Sequence, residues 1–168
     1  MKTLPFAMLT ALLAWQLSAE VRSVPILNEG WTLSFDAPPL TRNQDSKTAD
    51  GYAYRANAGR FNLSFFVETP AAYSAKHKDV YEYYWPLASR NPLISKPTIR
   101  TSETPSFVSV QYEILAPFNG KTVHQMNVNY YFAFRGRWID VHISVIEPTA
   151  DDLKIIDDFG RSLKYGSG

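Results

Sequence analysis

Two long runs, residues 122–134 and 137–146, flank Arg135-Gly136, and they constrain this chain more than any other feature. Read as a two-residue turn, Arg135-Gly136 sets Phe134 opposite Arg137 and fixes every later pair. Side chains alternate across a strand, so one face collects Phe132/Ile139, Tyr130/Val141, Val128/Ile143 and Met126/Val145. That face is solidly apolar and must be core. The opposite face collects Ala133/Trp138, Tyr131/Asp140, Asn129/His142 and Asn127/Ser144. A slip of one residue would exchange the two faces, so the register is strongly specified. The chain is committed to an antiparallel sheet.

The other elements arrange around that hairpin. Residues 20–29 form a mixed leader, and 31–35 alternate as a half-buried strand ended by Pro38-Pro39. Residues 41–50 are polar and read as a loop, closed by the turn dipeptide Asp50-Gly51. Residues 52–56 and 61–68 read as a hairpin joined by Asn57-Ala58-Gly59. Thr69-Pro70 offers a hydroxyl N-cap followed by proline, which predicts a helix over about 71–85 that stops before Pro86. Its face would carry Tyr73, His77, Val80 and Tyr84. Asn91-Pro92 and Lys96-Pro97 mark an irregular connection, 107–114 a strand, and 117–120 a loop. A last helix over about 149–164 begins at Thr149, with Asp152 placed for a capping box. Leu153, Ile156, Phe159 or Gly160, and Leu163 would line its buried stripe, with Gly166 beyond its end.

The first nineteen residues have the layout of a secretory signal peptide. Lys2 is the only charge, an apolar run follows over 4–15, and Ala19 occupies the small-residue position before Glu20. That run is shorter than the about 20 residues a spanning helix needs. The expectation is export to the periplasm or beyond, with 20–168 as one globular domain and no stable membrane insertion after cleavage. Without Lys2 the chain balances 16 basic against 16 acidic residues, so nothing draws it to nucleic acid. The absence of cysteine excludes a lipid-modified cysteine, thiolate zinc sites and cysteine nucleophiles. No metal or other cofactor is expected.

The segment Trp31-Thr32-Leu33-Ser34-Phe35-Asp36-Ala37-Pro38, the strand Gly59-Arg60-Phe61-Asn62-Leu63-Ser64, and residues 138–144 leading into the helix at 151–163 follow one order. In that order the chain resembles the Mog1/PsbP-like α/β/α sandwich group. The resemblance covers most of residues 30–165 and implies an α+β fold, an antiparallel sheet with two principal helices. It implies a small binding or accessory role, some members being periplasmic, and it transfers no catalytic residue.

Candidate chemistry lies on the polar face of the hairpin. If the preceding strand matches core sides, Ser109 and Gln111 join Asn127, Asn129, Tyr131, Trp138, Asp140, His142 and Ser144 on one surface. Plain solvation is the simpler reading of such a face. Amides, two large rings and an Asp–His couple are instead the groups that bind ligands or partners, which makes Tyr131, Trp138, Asp140, His142, Asn129, Asn127 and Gln111 the candidate binding residues. Asp140-x-His142-x-Ser144 offers a couple and a hydroxyl, but neighbours two apart point outward side by side, which is poor geometry for a nucleophile and its base. His77 reads as a core-boundary residue, and His124 falls near Glu147. Asn62-Leu63-Ser64 matches a glycosylation acceptor inside a predicted strand. Tyr81, Tyr83, Tyr84 and Trp85 form an aromatic helix end, a natural interface anchor where exposed. The expected function is a non-enzymatic binding or accessory protein working by protein–protein contact. The alternatives are an immunity protein against a secreted antibacterial effector, and a small hydrolase. The sequence sets neither partner, ligand nor oligomeric state.

Overall fold

A computed structural model describes residues 19–47 and 51–166. The signal-peptide segment at 1–18 and the turn dipeptide's Asp50 lie outside the described residues. Among the described residues the chain is an α+β protein with mostly antiparallel sheets and two α-helices.

The long hairpin forms with the register that its turn dictates. Strands β8 (Lys121–Phe134) and β9 (Arg137–Ile146) pair from Phe134↔Arg137 through Met126↔Val145. Arg135 and Gly136 hold positive φ values of 48° and 79°, as a primed two-residue turn requires. Strand β7 (Val108–Phe118) pairs with β8, and β6 (Arg100–Glu103) pairs with β7 at the sheet edge. Beyond β9 lie β5 (Phe61–Glu68), β4 (Gly51–Ala58) and β3 (Thr41–Lys47). The seven-stranded order is β3-β4-β5-β9-β8-β7-β6. A second sheet of three strands is β1 (Glu20–Ile26), β2 (Trp31–Ala37) and β10 (Lys164–Gly166), with β2 central.

Each face of the large sheet is covered. On one side, Phe65, Phe132, Val141 and Ile143 pack with Leu33 and Phe35 of β2 and with Phe159 of helix α2 (Ala150–Ser162). On the other, Val110, Tyr131, Ala133 and Trp138 pack with Val80 of helix α1 (His77–Ala88). The Thr149 hydroxyl accepts from the Asp152 amide, and the Asp152 carboxylate accepts from the Thr149 amide, the reciprocal box the sequence foretold. Arg60 also donates to Asp152 at 2.7 Å, tying the start of α2 to the β4–β5 turn.

Several expectations are corrected. The leader is β1, and the 41–50 loop contains β3; both are mainly exposed outer strands, without the strict apolar alternation that marks a strand with one buried face. The 117–120 loop is a strand continuation around the tight turn Asn119-Gly120. Helix α1 starts at His77, so Tyr73 precedes it. The Trp138 indole donates to the Ser74 carbonyl at 3.0 Å, holding the preceding segment out of the helix. Pro86 lies within α1, but only two helical residues follow it, so the turn it interrupts is the last. In α2 the buried stripe is Asp152, Ile155, Ile156 and Phe159, and Leu153 is exposed.

Candidate functional site

Directly paired residues on antiparallel strands share a face, so the registers assemble the hairpin's polar side row by row. One row runs Arg55, Ser64, His142, Asn129, Val110 across β4, β5, β9, β8 and β7. The next runs Asn57, Asn62, Ser144, Asn127, Tyr112. A third runs Ala53, Phe66, Asp140, Tyr131, Val108. Six of the seven predicted binding residues, Asn127, Asn129, Tyr131, Trp138, Asp140 and His142, therefore lie together on one face.

Gln111 does not join them. It pairs with Val128, and Ser109 pairs with Tyr130, which places both on the opposite face. The apolar side of β7, carrying Val110 and Tyr112, packs beneath α1 instead of toward α2. A strand in a sheet covered on both faces has apolar neighbours either way, so its apolar side does not tell which layer it meets.

The face is also roofed by α1, so the simpler reading of plain solvation does not describe it. Tyr131 is fully buried, and Asn127, Asn129, Ser144 and Trp138 are buried with it. Tyr84 of α1 stacks on Tyr131 with ring centroids 6.2 Å apart and donates its hydroxyl to Glu68. His77 accepts from the Ala133 amide at 3.1 Å, just past the last β7–β8 pair, which satisfies a backbone donor that β7 leaves unpaired. Its Nε2 faces the Pro105 carbonyl at 3.2 Å. His124 and Glu147 do meet: the His124 amide donates to the Glu147 carboxylate at 2.8 Å.

Beneath the roof the polar groups bond to one another. Asn129 donates to Asp140 at 2.8 Å, and the Tyr112 hydroxyl donates to Asn129 at 3.2 Å. His142 Nε2 lies 3.1 Å from Asn127 Oδ1, an acceptor, so this nitrogen carries the proton. Asp140 and His142 keep some solvent-accessible surface, yet burial dominates their titration. Burial first, with Glu68 adding to it against the Asn129 bond, raises Asp140 to about 7. Burial lowers His142 to about 4. At neutral pH His142 is uncharged. Each member of the expected Asp–His couple is thus bonded to an amide, and Ser144 sits between Asn62 and Asn127 in its row. The hydroxyl of Tyr131 is buried with no partner among the described residues, and burial pushes its pKa far up.

The outer side of the roof carries large exposed apolar side chains. Tyr83 and Leu87 lie one turn apart on α1 and are 56% and 49% exposed. Tyr73 and Leu93, in the flanking segments, are 47% and 40% exposed. The Tyr83 ring rests on Tyr84 at 4.9 Å and on Trp138 at 5.4 Å. Within the expected aromatic cluster, Tyr81, Tyr84 and Trp85 turn inward and Tyr83 turns outward. Leu87 is not singled out by the sequence because Pro86 predicts a helix end before it; the i, i+4 spacing from Tyr83 is its available signal.

Among the described residues no helix is long and apolar enough to cross a membrane. No family model matches the chain, and no curated protein matches it. Among solved structures it is similar to the crystal structure of a protein from Bacteroides thetaiotaomicron VPI-5482, at 9% sequence identity and a TM-score of 0.45. The alignment covers 79% of this chain and 44% of that one, so the chain spans less than half the length of that protein. A likeness at this level leaves function to be argued from the residues.

Proposed function

We propose that this chain is an exported, non-enzymatic binding or accessory protein that meets a protein partner through the outer side of α1. The observation that carries the reading is the Tyr83–Leu87 pair, two large apolar side chains a turn apart and each about half exposed. Tyr83 is held from behind by Tyr84 and Trp138. A ring already fixed in place loses little freedom on binding, which suits a hot-spot anchor. Lys78 and Glu82, paired on the same helix, supply the charged rim that interfaces commonly carry. Export is supported by the charge and apolar pattern of residues 1–19, with a periplasmic location as the proposal. The finer fold reading, a Mog1/PsbP-like α/β/α sandwich, is supported by α1 and α2 packing on opposite faces of the large sheet.

The test is photo-crosslinking in the native host, with a benzophenone amino acid at position 83 or 87. One dominant protein adduct is expected from both positions. The double substitution Tyr83→Ala, Leu87→Ala should then weaken binding of that protein by about tenfold or more. Its melting temperature should stay within a few degrees of the parent, because both side chains are half in solvent already. Absence of adducts, or undiminished binding by the double variant, would contradict the proposal.

A further inference from the structure

The opposite face of the sheet holds a second feature that the α1 reading does not use. Strand β6 is four residues, Arg-Thr-Ser-Glu, all exposed, and it ends the seven-stranded order. It pairs with β7 on one side, and among the described residues no strand pairs with it on the other. An edge strand with an open side presents unpaired backbone N–H and C=O groups. Beside that edge runs an open groove of about 640 Å³ between β6 and α2. This volume lies within the range of small-ligand sites, about 300–1,000 Å³.

The registers say what the groove is made of. Arg100 and Ser102 pair with Gln111 and Ser109, so these four share the groove face. Val128 and Tyr130 form the adjoining floor, and Ile156, Asp157, Gly160 and Arg161 of α2 form the far wall. Gly160 is needed there: a Cβ at that position would lie 2.9 Å from the Tyr130 hydroxyl. The side chain that α2 lacks is what lets the Tyr130 ring lie against the helix.

Charge gives the groove a preference. Arg100 donates to the Pro97 and Ile99 carbonyls, at 2.7 and 2.9 Å, so its charge has no carboxylate partner among the described residues. Arg161, across the groove, is bonded to Asp158 at 2.5 Å. Asp157 is the sole acid in a lining that also carries Arg100 and Arg161, and its charge acts on Arg161. The rest of the polar lining is hydroxyl and amide.

We propose that this groove binds an extended peptide segment of a partner, added as a strand along β6, with a carboxylate side chain directed to Arg100. Main-chain hydrogen bonds to the β6 edge supply affinity, and every second side chain enters the groove and supplies selectivity. A carboxylate meets the Arg100 guanidinium, which among the described residues is bonded only to neutral carbonyls, as a charge-assisted pair. The shortness and the charges of β6 discourage indiscriminate edge pairing, so recognition depends on the match at Arg100. The site is independent of the α1 surface and lies on the other face of the sheet.

The experiment is an NMR titration of the 15N-labelled protein with acetyl-Thr-Val-Glu-Val-Thr-amide. Its counterpart with glutamine in place of glutamate, sodium acetate and maltotetraose serve as comparison probes. The glutamate peptide should give saturable shifts at the amides of residues 100–103, 109 and 111, and bind about tenfold or more tightly than the glutamine peptide. In Arg100→Gln the two peptides should bind alike, with the rest of the spectrum unchanged. Failure of the glutamate peptide to saturate at millimolar concentration would overturn the proposal. So would equal affinity of the two peptides for the parent protein, or the same shifts produced by acetate alone. Saturation by maltotetraose in place of the peptide would assign the groove to a saccharide and overturn it as well.

Discussion

Phe159→Ala is expected to destabilise the protein by about 3–5 kcal/mol, the usual cost of emptying a buried aromatic site. Phe159 has no exposed surface and joins three layers at one point. It stacks on Phe35 of the small sheet at 4.8 Å and lies against Tyr130 and Phe61 of the large sheet at 5.6 and 6.5 Å. Strands and helix cannot all close on the void at once, so the cavity persists and adds to the lost transfer energy. Against a typical total of about 5–15 kcal/mol, the loss is a large share of stability. Leu153→Ala on the same helix, at a side chain 41% exposed, is the comparison and should change stability by no more than about 0.5 kcal/mol. Urea unfolding of the two variants checks both. Similar losses would mean that α2 is rotated from the orientation described.

The second large effect is a pair of opposite pH dependences beneath α1. Asp140 is raised to about 7 in the fold, so the folded state holds a proton that the unfolded chain releases near the ordinary carboxylate value. Its contribution is fully present below about 4 and is lost as pH rises toward 7, at a slope approaching about 1.4 kcal/mol per pH unit. His142 is lowered to about 4, so the unfolded chain takes up a proton that the folded state refuses. Its contribution is present above about 6.5 and is lost as pH falls toward 4, with a slope of the same size and opposite sign. Between about pH 4 and 6.5 the two cancel. Relative to the parent protein, Asp140→Asn should therefore gain stability as pH rises through that window. His142→Gln should lose it. Asn keeps the acceptor for Asn129, and Gln keeps a donor for Asn127, so neither change need break the network. Urea unfolding at intervals from pH 4.5 to 7.5 measures the differences. Parallel curves for all three proteins would mean that neither group is buried as described.

The parts of this fold legible in the sequence are those with one local cause. The β8–β9 register follows from a two-residue turn, and every pair from Phe134↔Arg137 to Met126↔Val145 follows from it. The Thr149–Asp152 box is local in the same way. The start of α1 is not legible in the sequence: Thr69-Pro70 carries helix-start chemistry, whereas the true start is set from a distance by the Trp138 bond to Ser74 and the Ala133 bond to His77. The true N-cap, Lys76, makes no side-chain cap, so it leaves no mark in the sequence. The polar row of the hairpin was readable and its roof was not. Amides that bond to one another under a helix have the same composition as amides waiting for a ligand. Gln111 was lost to this face because a sheet covered on both sides gives apolar residues two layers to meet.

Helix α1 is a fixed roof over the polar face, and its outer side is the surface proposed to meet a partner. The chain lacks cysteine, so single thiols report this directly. Ala133→Cys places a small thiol under α1, where the native side chain is 6% exposed, and Leu87→Cys places one on the outer side. Maleimide labelling of the two variants under native conditions should modify position 87 rapidly and position 133 at least about a hundredfold more slowly, since the buried thiol reacts only through openings of stable structure. Equal labelling rates would rule out the roofed arrangement, because α1 would then leave the polar face open.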